Sequence, residues 1–362
     1  MMNKGLKGIV AADTAISHID GEIGQLIYRG YEIRSLTQKY SFEETAYLLW
    51  YGELPTEERV QILKDQMRKE RALQENIRFI IDQLPPSMDM MSVIRTTISA
   101  EGGNSDYSWK PTLPQAIRLT SLVPTIIAYR KRKLEGNTFV TPRMDLDHVE
   151  NYLYMLYGNL PLAAHVEALE TYMILTLEHG MNASTFSARV TASTESDIVS
   201  AVTSAIGTMK GPLHGGAPSG VIDLLNEIAS VGDAESVLRE KLTRGEKLMG
   251  FGHRVYKTHD PRAISLKTKL LELDGKDEWL DLAMKVEETA VRLLDEIKPG
   301  RSLYTNVEFY AAAIMKAINM KAELFTPTFT ASRMVGWTAH ILEQSDNNTI
   351  YRPQSNYIGF LK

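Results

Sequence analysis

Apolar residues recur at helical spacing through most of this chain of 362 residues, and this periodicity limits the fold more than any other feature of the sequence. The segments 42–52, 147–158 and 162–180 carry apolar side chains three or four positions apart, and each ends at a glycine. A further helix is expected over 194–207, with Thr194 as its N-terminal cap. The pattern predicts an all-α fold for most of the chain.

Strand signal is confined to the N-terminal region, at 19–33. The sequence there, IDGEIGQLIYRGYEI, predicts a short β-hairpin that turns at Asp20 and Gly21 and carries Tyr31 in its second half. The fold class we expect is therefore all-α with a short N-terminal β-hairpin.

Composition excludes several classes of function. The 40 Lys and Arg residues against 45 Asp and Glu give a net charge of -5, so there is no overall attraction to nucleic acid or to an acidic membrane. The absence of cysteine excludes disulfides, thiolate catalysis and Cys-ligated zinc. No signal-peptide stretch and no apolar run of bilayer length is present. We expect a cytoplasmic globular protein whose anion sites are local.

Two breaks interrupt the helical pattern, at 210–220 and 322–329. They bracket a segment of about domain size, which predicts a small helical domain at 217–323 and a large helical domain formed by 1–216 and 324–362. Because polar and glycine-rich motifs lie at both breaks, we expect a substrate cleft between the two domains.

The first break contains His214, in the sequence GPLHGGAPSG. Since the N-terminus of a helix disfavours a protonated imidazole, a histidine here would be neutral and able to donate a hydrogen bond to a carbonyl that gains negative charge. A capping histidine in a glycine-rich turn explains the local motif equally well.

The stretch MGFGHRVYKTHDPRA at 249–263 combines glycines, histidines and cations. Its two glycines before His253 would let the backbone approach a ligand closely. Arg254, Lys257 and Arg262 follow as candidate partners of carboxylates or phosphates, and Pro261 is expected to begin a helix. Three cations alone indicate a solvated basic turn, but the flanking glycines favour a binding loop.

Several other residues have both a structural and a functional interpretation. In YTNVEFYAAAIM, Asn306 is expected to cap a helix, and Glu308 in its first turn is either a dipole-stabilised carboxylate or a general base. His179 is expected at a helix C-terminus, where it would stabilise the helix. Arg333 would be buried beside aromatic residues, and Arg352 lies in a loop near the C-terminus. The histidines lack the i, i+4 pairing of a zinc helix, so no metal is expected.

Taken together and in this order, the motifs resemble the citrate synthase family, and the resemblance runs from end to end of the chain. It is closest to the short type found in bacteria and archaea. The stretches that carry it are HGMNASTFSARV, GPLHGGAP, GFGHRVYKTHDPRA, TNVEFYAA and SRMVGWTAHILEQ. The resemblance implies a two-domain helical fold, a homodimer, and closure of the small domain over the substrates.

The resemblance also implies three catalytic roles. His214 would stabilise the enolic form of the acyl thioester. His253 would bind the oxaloacetate carbonyl and donate a proton as carbon attacks it. Glu308 would remove a proton from the thioester methyl group.

By the same resemblance, four residues of one chain would bind oxaloacetate, namely His179, His253, Arg262 and Arg333. Arg352 would reach into the oxaloacetate site of the partner subunit. Leu248, Gly250 and Lys257 would bind coenzyme A. No metal and no prosthetic group is implied, since the thioester is itself a substrate.

The sequence departs from the family pattern at two places. The base is usually aspartate, whereas this chain has Glu308, which is one methylene longer. Many relatives read Arg-Pro-Arg near the C-terminus, whereas here Gln354 follows Arg352 and Pro353.

The resulting interpretation is a cytoplasmic, dimeric citrate synthase of the si type that condenses acetyl-CoA with oxaloacetate to give citrate. Two alternatives stay open. One is a 2-methylcitrate synthase that uses propionyl-CoA, and the other, from a different class, is a non-catalytic CoA-binding regulator.

Overall fold

The structure is a computed structural model of the chain, and helices make up most of it. It describes residues 4–6, 8–103, 107–215, 217–253, 255–272, 278–301 and 303–360. Gly216 and Arg254 of the sequence motifs lie outside these ranges.

Three strands and sixteen α-helices are found in the described ranges. The strands are β1 (Ser17–Asp20), β2 (Gln25–Tyr28) and β3 (Tyr31–Glu32). The helices of the first half are α1 (Ile33–Lys39), α2 (Phe42–Tyr51), α3 (Glu57–Lys69), α4 (Glu75–Gln83), α5 (Met90–Glu101), α6 (Leu113–Leu134), α7 (His148–Tyr157) and α8 (Ala163–Thr176). Those of the second half are α9 (Ala183–Ser193), α10 (Ile198–Met209), α11 (Ala217–Val231), α12 (Ala234–Thr243), α13 (Pro261–Glu272), α14 (Glu278–Ile297), α15 (Val307–Ala317) and α16 (Phe325–Asp346). The mostly helical fold is confirmed.

The N-terminal hairpin is also confirmed, with one difference. β1 and β2 pair antiparallel, and Asp20 turns the chain by accepting hydrogen bonds from the main-chain N–H groups of Glu22 (2.9 Å) and Ile23 (3.2 Å). Tyr31 lies outside the hairpin, in a short third strand that pairs with β2. The difference arises because Arg29 and Gly30, both at positive φ, reverse the chain a second time.

Two predicted helix boundaries are wrong, for identifiable reasons. α8 stops at Thr176 and does not reach Gly180, because the hydroxyl of Tyr28 in β2 donates a hydrogen bond to the carbonyl of Glu178 (2.7 Å) in the segment that follows. α10 is capped by Asp197, whose carboxylate accepts from the N–H of Ser200 (2.9 Å). Its charged oxygen satisfies a first-turn N–H group of that helix better than a hydroxyl would.

The long helix α16 is the centre of the core. Most of its residues are buried, and it packs against α2, α6, α8, α9 and α10. Trp337 has no exposed surface, and Trp50 of α2 donates from its indole N–H to the hydroxyl of Thr338 (2.9 Å). Burial of this apolar surface supplies the main driving force for folding. The same packing fixes the direction of Arg333, which lies on α16.

Helices of the segment 217–323 pack largely on one another, with α12 against α14 and α11 against α15. However, α13 and α15 also pack on α8. The division into a large and a small domain therefore stays a prediction. Among the described residues, no helix is long and apolar enough to cross a membrane.

Candidate active site

Four elements bring predicted site residues together: the connection between α8 and α9, the loop before α13, α13 itself and α16. His179 Nε2 lies 3.1 Å from the hydroxyl of Tyr256, and the His179 ring meets the His253 ring edge to face at 5.5 Å between centroids. Arg262 Nη2 lies 3.3 Å from His253 Nε2. Burial holds the pKa of His179 well below its usual range, and the basic side chains around it lower it further. They are Arg262, His253, Arg333 and His214.

Two glycines shape the loop that carries His253. Gly250 and Gly252 have φ values of 87° and 80°, which non-glycine residues rarely adopt. The loop is tied to the residues before α15, since Gly250 O accepts from the N–H of Asn306 (2.9 Å) and Gly252 O accepts from its side-chain amide (2.9 Å). The predicted cap is confirmed, because Asn306 Oδ1 accepts from the N–H of Glu308 at 3.0 Å. The loop therefore holds His253 and Glu308 in one substructure.

The tautomer of His253 follows from its hydrogen bonds. Its Nδ1 accepts from the main-chain N–H groups of Val255 (3.0 Å) and Tyr256 (3.1 Å). The proton of the neutral ring must then be on Nε2. Burial, followed by the nearby Arg262, lowers the pKa of His253 to about 4, so the ring is neutral at physiological pH. With the proton on Nε2, the approach of Arg262 Nη2 to that atom brings two donors together and is not a hydrogen bond, so the Nε2–H is available to an acceptor on a ligand.

Asp260 is a buried carboxylate at the start of α13 and connects two parts of the site. It pairs with Arg262 through two contacts, Nε to Oδ1 at 3.0 Å and Nη2 to Oδ2 at 2.8 Å. Its Oδ2 also accepts from the N–H of Val307, the residue before Glu308, at 3.1 Å. The carboxylate thereby fixes the Arg262 guanidinium relative to the first turn of α15.

Glu308 lies in that first turn and is mostly buried. No hydrogen bond to its carboxylate is found among the described residues. Burial raises its pKa to about 7, with Arg262 lowering it and Asp260 raising it. A carboxyl group that titrates near neutral pH is suited to accept a proton from a weak carbon acid.

His214 lies in the turn before α11, and a hydroxyl from α9 positions it. Its Nε2 lies 2.7 Å from Ser184 Oγ, which also accepts from the indole N–H of Trp337 (3.0 Å). Burial, followed by Arg333, lowers the pKa of His214 to about 4. Ser184 Oγ donates its own proton to Asn182 Oδ1 (2.8 Å), so the neutral ring of His214 donates its Nε2–H to Ser184 Oγ. The role of His214 as a donor to a ligand stays a prediction.

Arg333 is only 1% exposed, and it lies on α16 beside the end of α8. Its Nε donates to the carbonyl of Thr176 at 2.7 Å, and its guanidinium stacks over the Phe329 ring at 4.7 Å. The bond to Thr176 is the one hydrogen bond of Arg333 within the described part of the chain, so Nη1 and Nη2 are left for a ligand. With Arg262 nearby, the site presents two arginines to a dianion.

The residues predicted to bind coenzyme A are more scattered. Leu248 is buried, and a side chain at Gly250 would come within 3.0 Å of Phe309 and Val221. Lys257 is 70% exposed and forms an ion pair with Glu22 on the hairpin turn.

Arg352 is exposed in the extended segment after α16, and no contact within the described chain joins it to His253 or Arg333. Its predicted role in the partner subunit's site stays a prediction. His179 lies three residues beyond the end of α8, so the expectation that it caps this helix is wrong.

Four residues with evident roles in the site were not singled out from the sequence. They are Tyr256, Asp260, Ser184 and Glu178. Tyr256 and Asp260 lie inside the 249–263 stretch, so a count of its polar residues signals them. Ser184 and Glu178 flank His179 closely, but only the fold shows that they face His214 and Arg333. No group of three or more residues suited to hold a metal ion is found within the described ranges.

Known proteins match this chain over nearly its whole length. The family model for the citrate synthase C-terminal domain matches residues 5–354. Citrate synthase 2 of Bacillus subtilis is 42% identical over 98% of this chain and 95% of its own length. A 2-methylcitrate synthase of Mycobacterium tuberculosis is 40% identical over 99% of this chain and 91% of its own.

A solved structure shares the fold. The citrate synthase of Thermoplasma acidophilum, solved in a ternary complex with carboxymethyl coenzyme A and oxaloacetate, superposes with a TM-score of 0.92 at 28% identity. The match covers 100% of this chain and 97% of that one. The motifs, the helical fold and these relatives lead to one conclusion, which is that the chain belongs to the citrate synthase family.

Proposed function

We propose that the protein condenses acetyl-CoA with oxaloacetate and releases citrate and coenzyme A. The Glu308 carboxylate takes a proton from the thioester methyl group, and the neutral His214 donates a hydrogen bond to the thioester oxygen as it gains charge. The resulting carbon nucleophile attacks the ketone carbon of oxaloacetate, whose oxygen receives the Nε2 proton of His253. Water then cleaves the citryl thioester, which gives citrate and the free thiol.

The observation that carries this proposal is the environment of Glu308. Its carboxyl group has a pKa of about 7 and lies in the same substructure as His253, whose Nε2–H is a donor. A thioester methyl group is a very weak acid, so a carboxylate base needs a donor that stabilises the developing enolate. His214 would be this donor: burial keeps its ring neutral, and rotation of the Ser184 hydroxyl from Asn182 Oδ1 to His214 Nε2 would place the ring proton on Nδ1.

The oxaloacetate roles rest on charge and on free donors. Within the described ranges Nη1 and Nη2 of Arg333 have no hydrogen-bond partner, and Arg262 is held in place by Asp260. Arginine forks bind carboxylates in bidentate fashion, and oxaloacetate carries two of them. The Nε2–H of His253, whose ring meets that of His179 and lies beside Arg262, would hold the ketone together with His179.

The choice of acyl group is part of the proposal. Similar relatives bear the names citrate synthase and 2-methylcitrate synthase. We favour acetyl-CoA over propionyl-CoA, and we expect the preference to be moderate, because one extra methylene in an apolar pocket changes transition-state binding by only about 1 to 3 kcal/mol. The second candidate, a 2-methylcitrate synthase, differs in that pocket alone.

Further features of the proposal follow from the family resemblance. We propose a cytoplasmic homodimer in which Arg352 completes the partner subunit's oxaloacetate site, si stereochemistry, and no metal or prosthetic group. Lys257 would exchange its partner Glu22 for a phosphate of coenzyme A when that substrate binds. A non-catalytic CoA-binding regulator is disfavoured, because such a protein has no use for a buried carboxyl group of pKa about 7 beside two neutral histidines.

The test is a comparison of kcat/KM for acetyl-CoA and propionyl-CoA, with oxaloacetate present and free thiol detected. We expect acetyl-CoA to be preferred by roughly tenfold to a hundredfold. A reaction without oxaloacetate is the control for simple thioester hydrolysis. A preference for propionyl-CoA would change the assignment to 2-methylcitrate synthase, and absence of turnover with both thioesters would support the regulator.

A further inference from the structure

A second charged cluster lies behind the oxaloacetate site, and the reaction proposed above does not use it. Glu178 and His340 have no exposed surface, and Arg189 is 2% exposed. They come from the α8–α9 connection, α16 and α9. Burial of charge is unfavourable unless the charges are paired, so a cluster of this kind requires an explanation.

The hydrogen bonds of the cluster fix its proton positions. Arg189 donates to His340 Nδ1 from Nε (2.9 Å) and approaches the same atom with Nη2 (2.8 Å). The proton of His340 must therefore be on Nε2, which lies 3.2 Å from Glu178 Oε1. Ser17 Oγ in β1 donates to the same oxygen at 3.0 Å. Arg189 has its own carboxylate partner, Glu343.

Glu178 is held closely in place by its neighbours. Its main-chain carbonyl accepts from the Tyr28 hydroxyl at 2.7 Å, and Oε2 lies only 2.6 Å from the place that a side chain at Gly336 would occupy. Oε2 has no hydrogen-bond partner among the described residues. Although burial raises the pKa of a carboxyl group, His340, Arg333 and Ser17 hold the pKa of Glu178 below its ordinary value, so the group is an anion.

The anion lies next to two of the proposed oxaloacetate ligands. His179 follows it directly in the chain, and Arg333 donates its Nε to Thr176 O, two residues before Glu178. Burial lowers the pKa of Arg333 from its ordinary value, and the Glu178 carboxylate opposes this shift. Asp260 compensates Arg262 differently, because it occupies two of the guanidinium nitrogens. Glu178 compensates the charge of Arg333 without a direct hydrogen bond, so Nη1 and Nη2 have no partner among the residues that the structure describes.

We propose that Glu178 is a positioning residue for oxaloacetate, because its carboxylate, held by Ser17 and His340, is the counter-charge that keeps Arg333 and His179 in place with the Arg333 donors open to the ligand. The inference rests on the proposed function, in which these two residues bind oxaloacetate. Glu178 itself touches no substrate in this arrangement.

The test compares Glu178→Gln with Glu343→Gln, which removes a carboxylate of the same cluster that pairs with Arg189 and lies away from Arg333. We expect Glu178→Gln to raise the Kd and the KM for oxaloacetate by roughly tenfold or more, since a buried charge loses its partner. The KM for acetyl-CoA should change less than twofold. Glu178→Asp should recover part of the affinity, and Glu343→Gln should leave oxaloacetate binding unchanged.

Ser17→Ala is a milder second variant, because it removes only the hydroxyl that holds Glu178 Oε1. It should raise the Kd for oxaloacetate by about twofold to fivefold, and it tests the inference if Glu178→Gln does not fold. The inference would be overturned if Glu178→Gln and Glu343→Gln lost oxaloacetate affinity equally. It would also be overturned if Glu178→Gln were insoluble and Ser17→Ala bound oxaloacetate like the wild type. Wild-type protein that fails to bind oxaloacetate would overturn the proposed function itself.

Discussion

Glu308 and Glu170 are two mostly buried glutamates whose pKa burial raises to about 7, yet they lie in regions with different chemistry. Glu170, on α8, accepts a hydrogen bond from the N–H of Phe42 at 2.9 Å and lies near the carboxylates of Glu43 and Asp147. Glu308 has no such partner and lies near Arg262. A raised pKa thus identifies a desolvated carboxyl group, and its neighbours decide whether it has a substrate to act on.

The largest expected difference between the two is in turnover. Glu308→Gln keeps the shape and the cap but cannot accept a proton, so turnover should fall by roughly a hundredfold or more. Glu170→Gln is the matched control and should turn over like the wild type. Oxaloacetate affinity should barely change in either, because the arginines remain. The measurement is turnover together with exchange of the acetyl methyl protons in the presence of a non-condensing oxaloacetate analogue.

Two outcomes would contradict the distinction between the glutamates. Proton exchange at the wild-type rate in Glu308→Gln would mean that the base is another group. A comparable loss in Glu170→Gln would mean that Glu170 acts on catalysis from a distance.

The pH dependence of kcat/KM should show the next largest difference. A general base works when it is ionised, so kcat/KM should rise with pH through about 7, where Glu308 titrates, and fall by about tenfold per pH unit below it. Glu170→Gln should leave this profile in place, although Glu170 titrates in the same range. A rise that disappears in Glu170→Gln would assign the titration to Glu170 and contradict this distinction.

The sequence distinguishes these two residues only in part. Asn306 as a cap and Glu308 in the first turn follow from local pattern, because capping involves neighbours in the chain. The family resemblance supplies the role of Glu308. Glu170 gives no signal, because its burial depends on α2 and on Asp147, which are far away in sequence.

The same limit explains which site residues escaped prediction. Helices and the N-terminal hairpin follow from periodicity, which is a local property. The contact of Ser184 with His214 and that of Glu178 with His340 join segments far apart in the chain. The end of α8 escaped for the same reason, because the tyrosine that holds the following segment comes from β2.

The smallest expected difference between the two glutamates is in stability. A carboxyl group whose pKa is raised in the folded state binds its proton more tightly there than in the unfolded chain. Its contribution to the free energy of unfolding is therefore fully present below the ordinary pKa of 4.5 and is lost as pH rises through about 7.

At pH 8, Glu170→Gln should then raise the free energy of unfolding by about 1 to 2 kcal/mol, and near pH 4.5 it should change little. Glu308→Gln should gain a similar amount at pH 8, because its pKa is raised from 4.5 to about 7 as well. Urea unfolding of both variants at pH 4.5 and pH 8 measures the free energy of unfolding. If Glu170→Gln were stabilised equally at the two pH values, removal of the charge would not be the cause of the gain.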